Sequence, residues 1–325
     1  MAAVDASLSG SGAQDASETT SPPGKKRKPR GGFGTISRLS RRDKATVYLM
    51  VGIPTVLVVF LVVIPAIMSV VLSFASWEGI GGIKTIKWIG FDNYKNIVTI
   101  YPPFDPAIRH NLIWLGVLFL VPMPIGIFLA VLLDREMKGS RFYQSAFFLP
   151  VVLSLALVGF MWQLIYSPDQ GLLNEITGKT TDWYGDPKIN LWAVLVATCW
   201  KQTGYVMLLY LAGLKAVDPS LREAATVDGA SETQTFFRVI VPVMRPINII
   251  ILVITFIESL RAFDIVWVVN KGRNGLELIA ALVYANISGE ASRIGFGSAL
   301  ATMMLIISSV FVAIYLRIVM KEDQP

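Results

Sequence analysis

Two groups of polar side chains stand inside runs that are otherwise apolar. Lys201, Gln202, Thr203 and Tyr205 interrupt one run, and Thr255, Glu258, Ser259 and Ala262 interrupt a later one. On a helix, Lys201, Gln202 and Tyr205 share a face, while Thr255, Glu258, Ser259 and Ala262 follow at i, i+3, i+4 and i+7. Each run is long enough to cross a bilayer, where ionisable groups are costly and are candidates for function by default. The same charges admit plainer readings. Arg261 and Asp264 lie three apart and could pair, as could Lys201 with Glu258, and Lys201 and Arg261 could snorkel to an interface.

Other chemistry is poorly provided for. His110 is the sole histidine and Cys199 the sole cysteine, which removes disulfides and most histidine- or thiolate-based metal and triad chemistry. Gly178-Lys179-Thr180 imitates the end of a phosphate loop, but Leu173 stands where that pattern requires its first glycine. No metal, cofactor or catalytic residue of the chain's own is expected.

Between the two polar runs lies a third feature, residues 223–246. Asp218-Pro219-Ser220 reads as a turn and helix start, with Ser220 as N-cap and Glu223 at capping-box spacing. Leu221, Ala224, Ala225 and Asp228 then follow at helical spacing, offering small side chains to anything that packs closely. Gly229 interrupts, and a second helix of about three turns is predicted from Ser231 to Val241, ended by Pro242. Two short helices joined at a glycine make a docking element.

The elements that hold these features are membrane helices. Of 325 residues, 54% are hydrophobic and 16% charged, against roughly 25% charged in soluble domains. The net charge of +6 sits in membrane-flanking segments and is no sign of nucleic acid. Six apolar segments are predicted at 47–74, 111–133, 143–166, 191–214, 247–269 and 296–320. Residues 1–42 form a basic tail with Lys25-Lys26-Arg27-Lys28, expected to be disordered, and 43–325 the six-helix domain. With the N-terminus inside, eighteen of the 29 Lys and Arg fall in inner segments and nine in outer ones. That places both termini and the 217–246 loop in the cytoplasm. The outer segments 75–110 and 167–190 are rich in aromatics and turn residues.

The 223–246 stretch resembles the EAA loop of ATP-binding-cassette importer permeases. Glu223-Ala224-Ala225, Gly229 and Pro242 fall at that loop's spacing, with Val239 and Val241 in place of isoleucine and leucine. The resemblance narrows to the maltose-type sugar permeases through Phe147-Phe148-Leu149-Pro150, Trp162, Gly171-Leu172-Leu173-Asn174, Trp200, Leu211-Ala212-Gly213-Leu214-Lys215 and Phe263-Asp264. The chain departs from the family at Asn270-Lys271-Gly272-Arg273-Asn274-Gly275, where a Thr-Gly-Gly-Gly-Pro-like turn would stand.

The resemblance implies an all-α, polytopic fold of six transmembrane helices with a cytoplasmic coupling loop, in a bacterial inner membrane. It implies a second homologous permease subunit, two cytoplasmic ATPase subunits that bind ATP and magnesium, and an extracytoplasmic sugar-binding protein. Glu223, Ala224, Ala225, Asp228, Gly229 and Pro242 would couple to the ATPase. Lys201, Gln202, Tyr205, Thr255, Glu258, Ser259 and Ala262 match the family's sugar-lining positions, and Val151 matches a further one. Hydroxyls that donate and accept, together with aromatic faces, suit such a site. The rival class is an ion-coupled secondary transporter, or a membrane scaffold, with Lys201, Glu258, Arg261 and Asp264 as a charge relay.

Overall fold

A computed structural model describes residues 40–80, 82–135, 138–289 and 292–322. The Lys25–Lys28 cluster and nearly all of the expected tail lie outside them. The chain divides into two compact units, Met1–Leu57 and Val58–Pro325. In the first, helix α1 (Arg41–Val58) begins at a reciprocal cap: Asp43 N–H donates to Ser40 Oγ at 3.3 Å and Ser40 N–H to Asp43 Oδ2 at 3.2 Å. None of its residues is buried, as befits a helix facing lipid or a partner.

The second unit opens with a π-helical turn, Val59–Val63, then α2 (Ile64–Leu72). Pro65 has no N–H to give, and the wider turn accommodates that loss. A minimal antiparallel ladder follows, β1 (Ala75–Ser76) against β2 (Lys87–Trp88), with Ala75 opposite Trp88. Next come α3 (Asp92–Thr99), α4 (Phe104–Leu120) and α5 (Pro122–Asp134), the last two meeting at Pro122. Then come α6 (Ser140–Val152), α7 (Leu155–Ile165), the short α8 (Leu172–Thr177) and the long α9 (Asn190–Ala216). Three short helices follow: α10 (Pro219–Val227), α11 (Glu232–Thr235) and α12 (Val241–Val243). The rest is α13 (Arg245–Leu260), α14 (Asp264–Asn270), α15 (Ile279–Ile287) and α16 (Ile294–Glu322).

The expectation of six plain spans is only partly met. Among the described residues three helical stretches are individually long and apolar enough to cross a membrane: Arg41–Leu72, Phe104–Asp134 and Ile294–Arg317. Two more arise if bent pairs count as single spans: Ser140–Val152 with Leu155–Ile165, bent by 100°, and Glu232–Val243 with Arg245–Asn270, bent by 75°. The expected fourth span is helical, and its 27 residues would reach about 40 Å at 1.5 Å per residue. Lys201, Gln202 and Thr203 at its middle lower its hydropathy. A helix walled in by other helices need not be apolar throughout.

Helix α9 is that walled-in helix. Its first half shares a core with Trp114 and Leu118 of α4, Val158 of α7 and Ile265 of α14; its second half shares another with Ala130 of α5, Ile240 and Ile251. A third core joins Ile97, Ala107, Leu282 and Leu300 of α3, α4, α15 and α16. Gly204 lets α9 approach α6, because a Cβ there would collide with the Phe147 carbonyl oxygen and lie 2.9 Å from Val151 Cγ2. Gly204→Ala should therefore destabilise the detergent-solubilised subunit by about 1–3 kcal/mol, the usual scale of overpacking. Gly116→Ala, with nothing within 4 Å of the new methyl, should not. Equal shifts in thermal midpoint for the two variants would refute the close-approach role.

Candidate functional site

The third expected span breaks at Leu153–Ser154, where both residues turn to extended backbone. Ser154 restarts the helix by accepting the Leu157 N–H at 3.2 Å. The break leaves carbonyls at the end of α6 without helical partners. Lys201 of α9 takes them up: its Nζ donates to Val151 O at 3.2 Å and also to Leu153 O. The ammonium stands at a helix C-terminus, where the dipole favours a cation.

Lys201 also lines a small cavity with Gln202, Glu258, Ala262, Trp114, Leu118, Leu155, Thr198 and Ile265. Four of the seven polar-stripe residues singled out from the sequence thus meet at one place. The cavity measures about 40 Å³, enough for a water or two and too small for a sugar ring. Gln202 Nε2 is buried there with no protein partner among the described residues. Neither of the ion pairs considered above forms among the described residues, so Lys201 is not tied to Glu258, nor Arg261 to Asp264.

The other three do not join them in the cavity. Tyr205 is half-buried and lines no part of it. Thr255 and Ser259 are fully buried against the protein, Thr255 Oγ1 lacking a partner and Ser259 Oγ donating to the Phe256 carbonyl at 2.8 Å. Their face of α13 is held by Asn111 of α4, whose Nδ2 donates to Ser259 O at 3.2 Å while its Oδ1 accepts the Ile279 N–H at 2.9 Å. The single stripe read from spacing is therefore split. Glu258 is exposed, Glu258 and Ala262 look into the cavity, and Thr255 and Ser259 pack inward.

The docking element departs from its expected outline at both ends. Its first helix is capped by Asp218, not Ser220: Ser220 N–H donates to Asp218 Oδ1 at 2.9 Å, and Pro219 takes the first helical position. Proline prefers that position because its fixed φ suits a helix start and its missing N–H is not needed. The bond from Ser220 holds the Asp218 carboxyl below its ordinary value. The cap therefore contributes at neutral pH and fades as pH falls through the carboxylate range.

The capping box sits one helix later, where Gln234 N–H donates to Ser231 Oγ at 3.3 Å and Ser231 N–H to Gln234 Oε1 at 2.9 Å. Gly229, at φ +77°, ends the first helix in a Schellman turn, with Ala230 N–H on Ala225 O and Gly229 N–H on Thr226 O. Nor does Pro242 stop the second helix. A π-helical turn, Phe236–Ile240, absorbs its missing N–H, and the chain breaks only at Met244. Glu223, Ala224, Asp228 and Gly229 are exposed, whereas Ala225 is buried against the chain itself.

A family model described as binding-protein-dependent transport system inner membrane component matches residues 123–321. The chain belongs to this family of permeases. It is 30% identical over 270 residues to a probable ABC transporter permease protein of Pyrococcus horikoshii, covering 80% of this chain and 91% of that protein. It is 31% identical over 272 residues to the xylose/arabinose import permease protein XacH of Haloferax volcanii, covering 82% and 85%. Its fold is similar to that in the crystal structure of a bacterial ABC transporter involved in the import of the acidic polysaccharide alginate. There the TM-score is 0.75 at 20% identity, over 87% of this chain and 98% of that one.

In this permease the docking element is anchored by charges that spacing alone did not single out. Asp134, at the end of α5 and only 8% exposed, accepts from Lys215 Nζ at 3.1 Å and Arg222 Nη1 at 2.8 Å. Its neighbour Arg135 reaches Glu232 at 2.6 Å. The signal available was an acid at a helix C-terminus, an unfavourable place unless cations fold back onto it. Nor did spacing reveal the capping duty of Lys201. Lys201→Met should lower the subunit's stability by about 1–3 kcal/mol, the cost of leaving the α6 carbonyls without a donor. Glu258→Gln, at an exposed carboxylate, should stay within about 0.5 kcal/mol. Thermal unfolding of the two variants in detergent checks this, and equal losses would refute it.

Proposed function

We propose that the permease forms half of the translocation pathway of an ABC importer for a sugar, a di- or oligosaccharide in the first instance. The observation that carries this reading is the cavity that gathers Lys201, Gln202, Glu258 and Ala262 beside a broken helix in the family's matched region. Tyr205, Thr255 and Ser259 complete the proposed sugar lining once the helices part, with Val151 at its edge. Similarity to a xylose/arabinose import permease supports a carbohydrate substrate. A void of about 40 Å³ suits a closed state that must open to admit a ring. Ligands can drive such opening only by binding the two states unequally.

In this reading six spans lie in a bacterial inner membrane with both termini cytoplasmic, 43–325 forming the transmembrane domain after the 1–42 tail. The partners are a second homologous permease subunit, two ATPase subunits that hold ATP and magnesium, and an extracytoplasmic sugar-binding protein; nucleic acid has no part. Glu223, Ala224, Ala225, Asp228, Gly229 and Pro242 of the 217–246 loop form the coupling element. Exposure of Glu223, Ala224, Asp228 and Gly229 supports contact with an ATPase. An ion-coupled carrier would use Lys201, Glu258, Arg261 and Asp264 as a relay, yet these do not pair, and that reading leaves the docking element idle.

The test is the assembled complex in proteoliposomes, with ATPase activity and uptake measured over a panel of sugars and with binding protein present. Glu258→Ala should cut sugar-stimulated transport about tenfold, as loss of one charge-assisted hydrogen bond would, while the complex still assembles. Unchanged sugar preference and affinity would show the stripe to be structural. Gly229→Asp should abolish uptake with normal membrane insertion, because φ +77° strains any side chain and the new charge meets the docking face. Full transport by that variant would overturn the coupling role.

A further inference from the structure

The turn at 270–275, where the sequence departs from its family's pattern, is built as a rigid platform. Asn270 Oδ1 accepts the Arg273 N–H at 3.2 Å, and Leu276 N–H returns to Arg273 O at 3.2 Å. The turn is bolted to the start of α9 and to the 182–187 segment: Asn190 Nδ2 donates to Asn274 O at 2.6 Å, and Asn274 Nδ2 to Gly185 O at 2.8 Å. It therefore lies at the end of α9 opposite the docking helices, about 40 Å away along 27 residues.

Beneath this platform is a pocket of about 260 Å³, lined by Tyr101, Trp267, Lys271, Arg273, Asn286 and Arg293 among others. Its polar groups are pre-aimed. Asn286 is 2% exposed, and its Nδ2 donates to Tyr101 Oη at 3.0 Å and to Leu282 O at 2.8 Å. Its Oδ1 is buried with no partner among the described residues. Tyr101, receiving from Asn286, keeps its own proton to donate. Arg293 is held over the Phe296 ring at 5.3 Å, and that ring stands edge-on to Tyr101 at 5.0 Å. Trp267 is braced by Tyr284 at 4.4 Å and Phe263 at 5.4 Å.

Among the described residues three cations line this pocket, Lys271, Arg273 and Arg293, against one acid, Glu277. That carboxylate is directed at the Gly275 N–H, 3.2 Å from each oxygen, and lies 3.7 Å from His110 Nδ1. Among the described residues the pocket therefore offers a surplus of positive charge, aromatic walls and the Tyr101 hydroxyl as a donor. A saccharide bearing a carboxylate needs that combination: cations for the anion, hydroxyl partners and a ring face.

We propose that this pocket is a second saccharide site, selective for acidic sugars of the uronate type, separate from the cavity at Lys201 and Glu258. The proposal rests on the reading of the chain as a sugar permease and adds a charge preference to it.

The assembled membrane complex in nanodiscs, without added binding protein, provides the test. Saturation-transfer NMR with digalacturonate and with lactose as the neutral probe should show digalacturonate bound and lactose at least tenfold weaker. Arg293→Gln should weaken digalacturonate about tenfold, about 1.4 kcal/mol, and Asn286→Asp should abolish its signal by adding a repelling carboxylate. Equal binding of both probes, or indifference to Arg293→Gln, overturns the proposal. So does loss of the signal when phosphatidylglycerol replaces phosphatidylcholine, because the site then prefers a lipid headgroup. Sugar-stimulated ATPase by a neutral sugar, with no digalacturonate binding, would sink this inference alone. Absence of any sugar response would sink the transport reading beneath it.

Discussion

Backbone carbonyls at a helix break inside a membrane cannot turn to water, and the arrangement around α9 follows from that constraint. The third span breaks at Leu153–Ser154, and Lys201 supplies the donors that the α6 carbonyls lack. To reach them, α9 must lie against α6, and Gly204 removes the one side-chain atom that would forbid it. A cation is thereby fixed near the middle of α9 beside Gln202, Glu258 and Ala262. The polar pocket exists because the broken helix needs a cation, and a chain built on unbroken helices would have no reason to hold one there. On the proposed function, stability and recognition would share the same ammonium group, so a loss of transport on changing Lys201 would not by itself separate them.

A second cluster of charges governs the docking end, and its members differ in weight. Arg135 and Glu232 are 59% and 82% exposed, and an ion pair in that setting contributes at most about 1 kcal/mol. Asp134 is 8% exposed and holds cations from both α9 and α10. Removing either cation would leave a largely desolvated carboxylate short of a partner, which costs more than the surface pair. Of the two charge contacts between the docking helices and the span ends, the one at Asp134 is therefore the stronger.

What the sequence revealed and what it hid divide along the range of the forces involved. Helix–glycine–helix at 218–242 was legible because glycine at positive φ and the Schellman turn are local, set by a few adjacent residues. The choice of Asp218 over Ser220 as cap was decided by Pro219, also local, and was misread only because a capping-box spacing appeared nearby. Passage of the helix through Pro242 was not legible, since a π-helical turn depends on how the wider turn packs. The polar stripes were legible as helical faces, but their split was not. Whether Thr255 and Ser259 look into the cavity or into the body depends on Asn111 of α4, some 150 residues away in the chain. No periodicity in α13 records that.

The same packing decides which helix can move if the cavity is to open. Helix α9 meets α6 at Gly204 through backbone-level contact, and that interface cannot slide without collision. Its end is also tied by Lys215 to Asp134 of α5. The opposite wall of the cavity comes from α13 and the residues after it: Glu258 lies in α13 and Ala262 just beyond its last residue, Leu260. Helix α13 begins at Met244, at a 75° bend where the docking helices end. A displacement applied to α10–α12 reaches α13 across Met244, and reaches α9 through residues 217–218, the Asp134 cluster and the core shared at Ile240. On the proposed mechanism the docking helices therefore act on both walls of the cavity, and the close contact at Gly204 makes α9 and α6 move together.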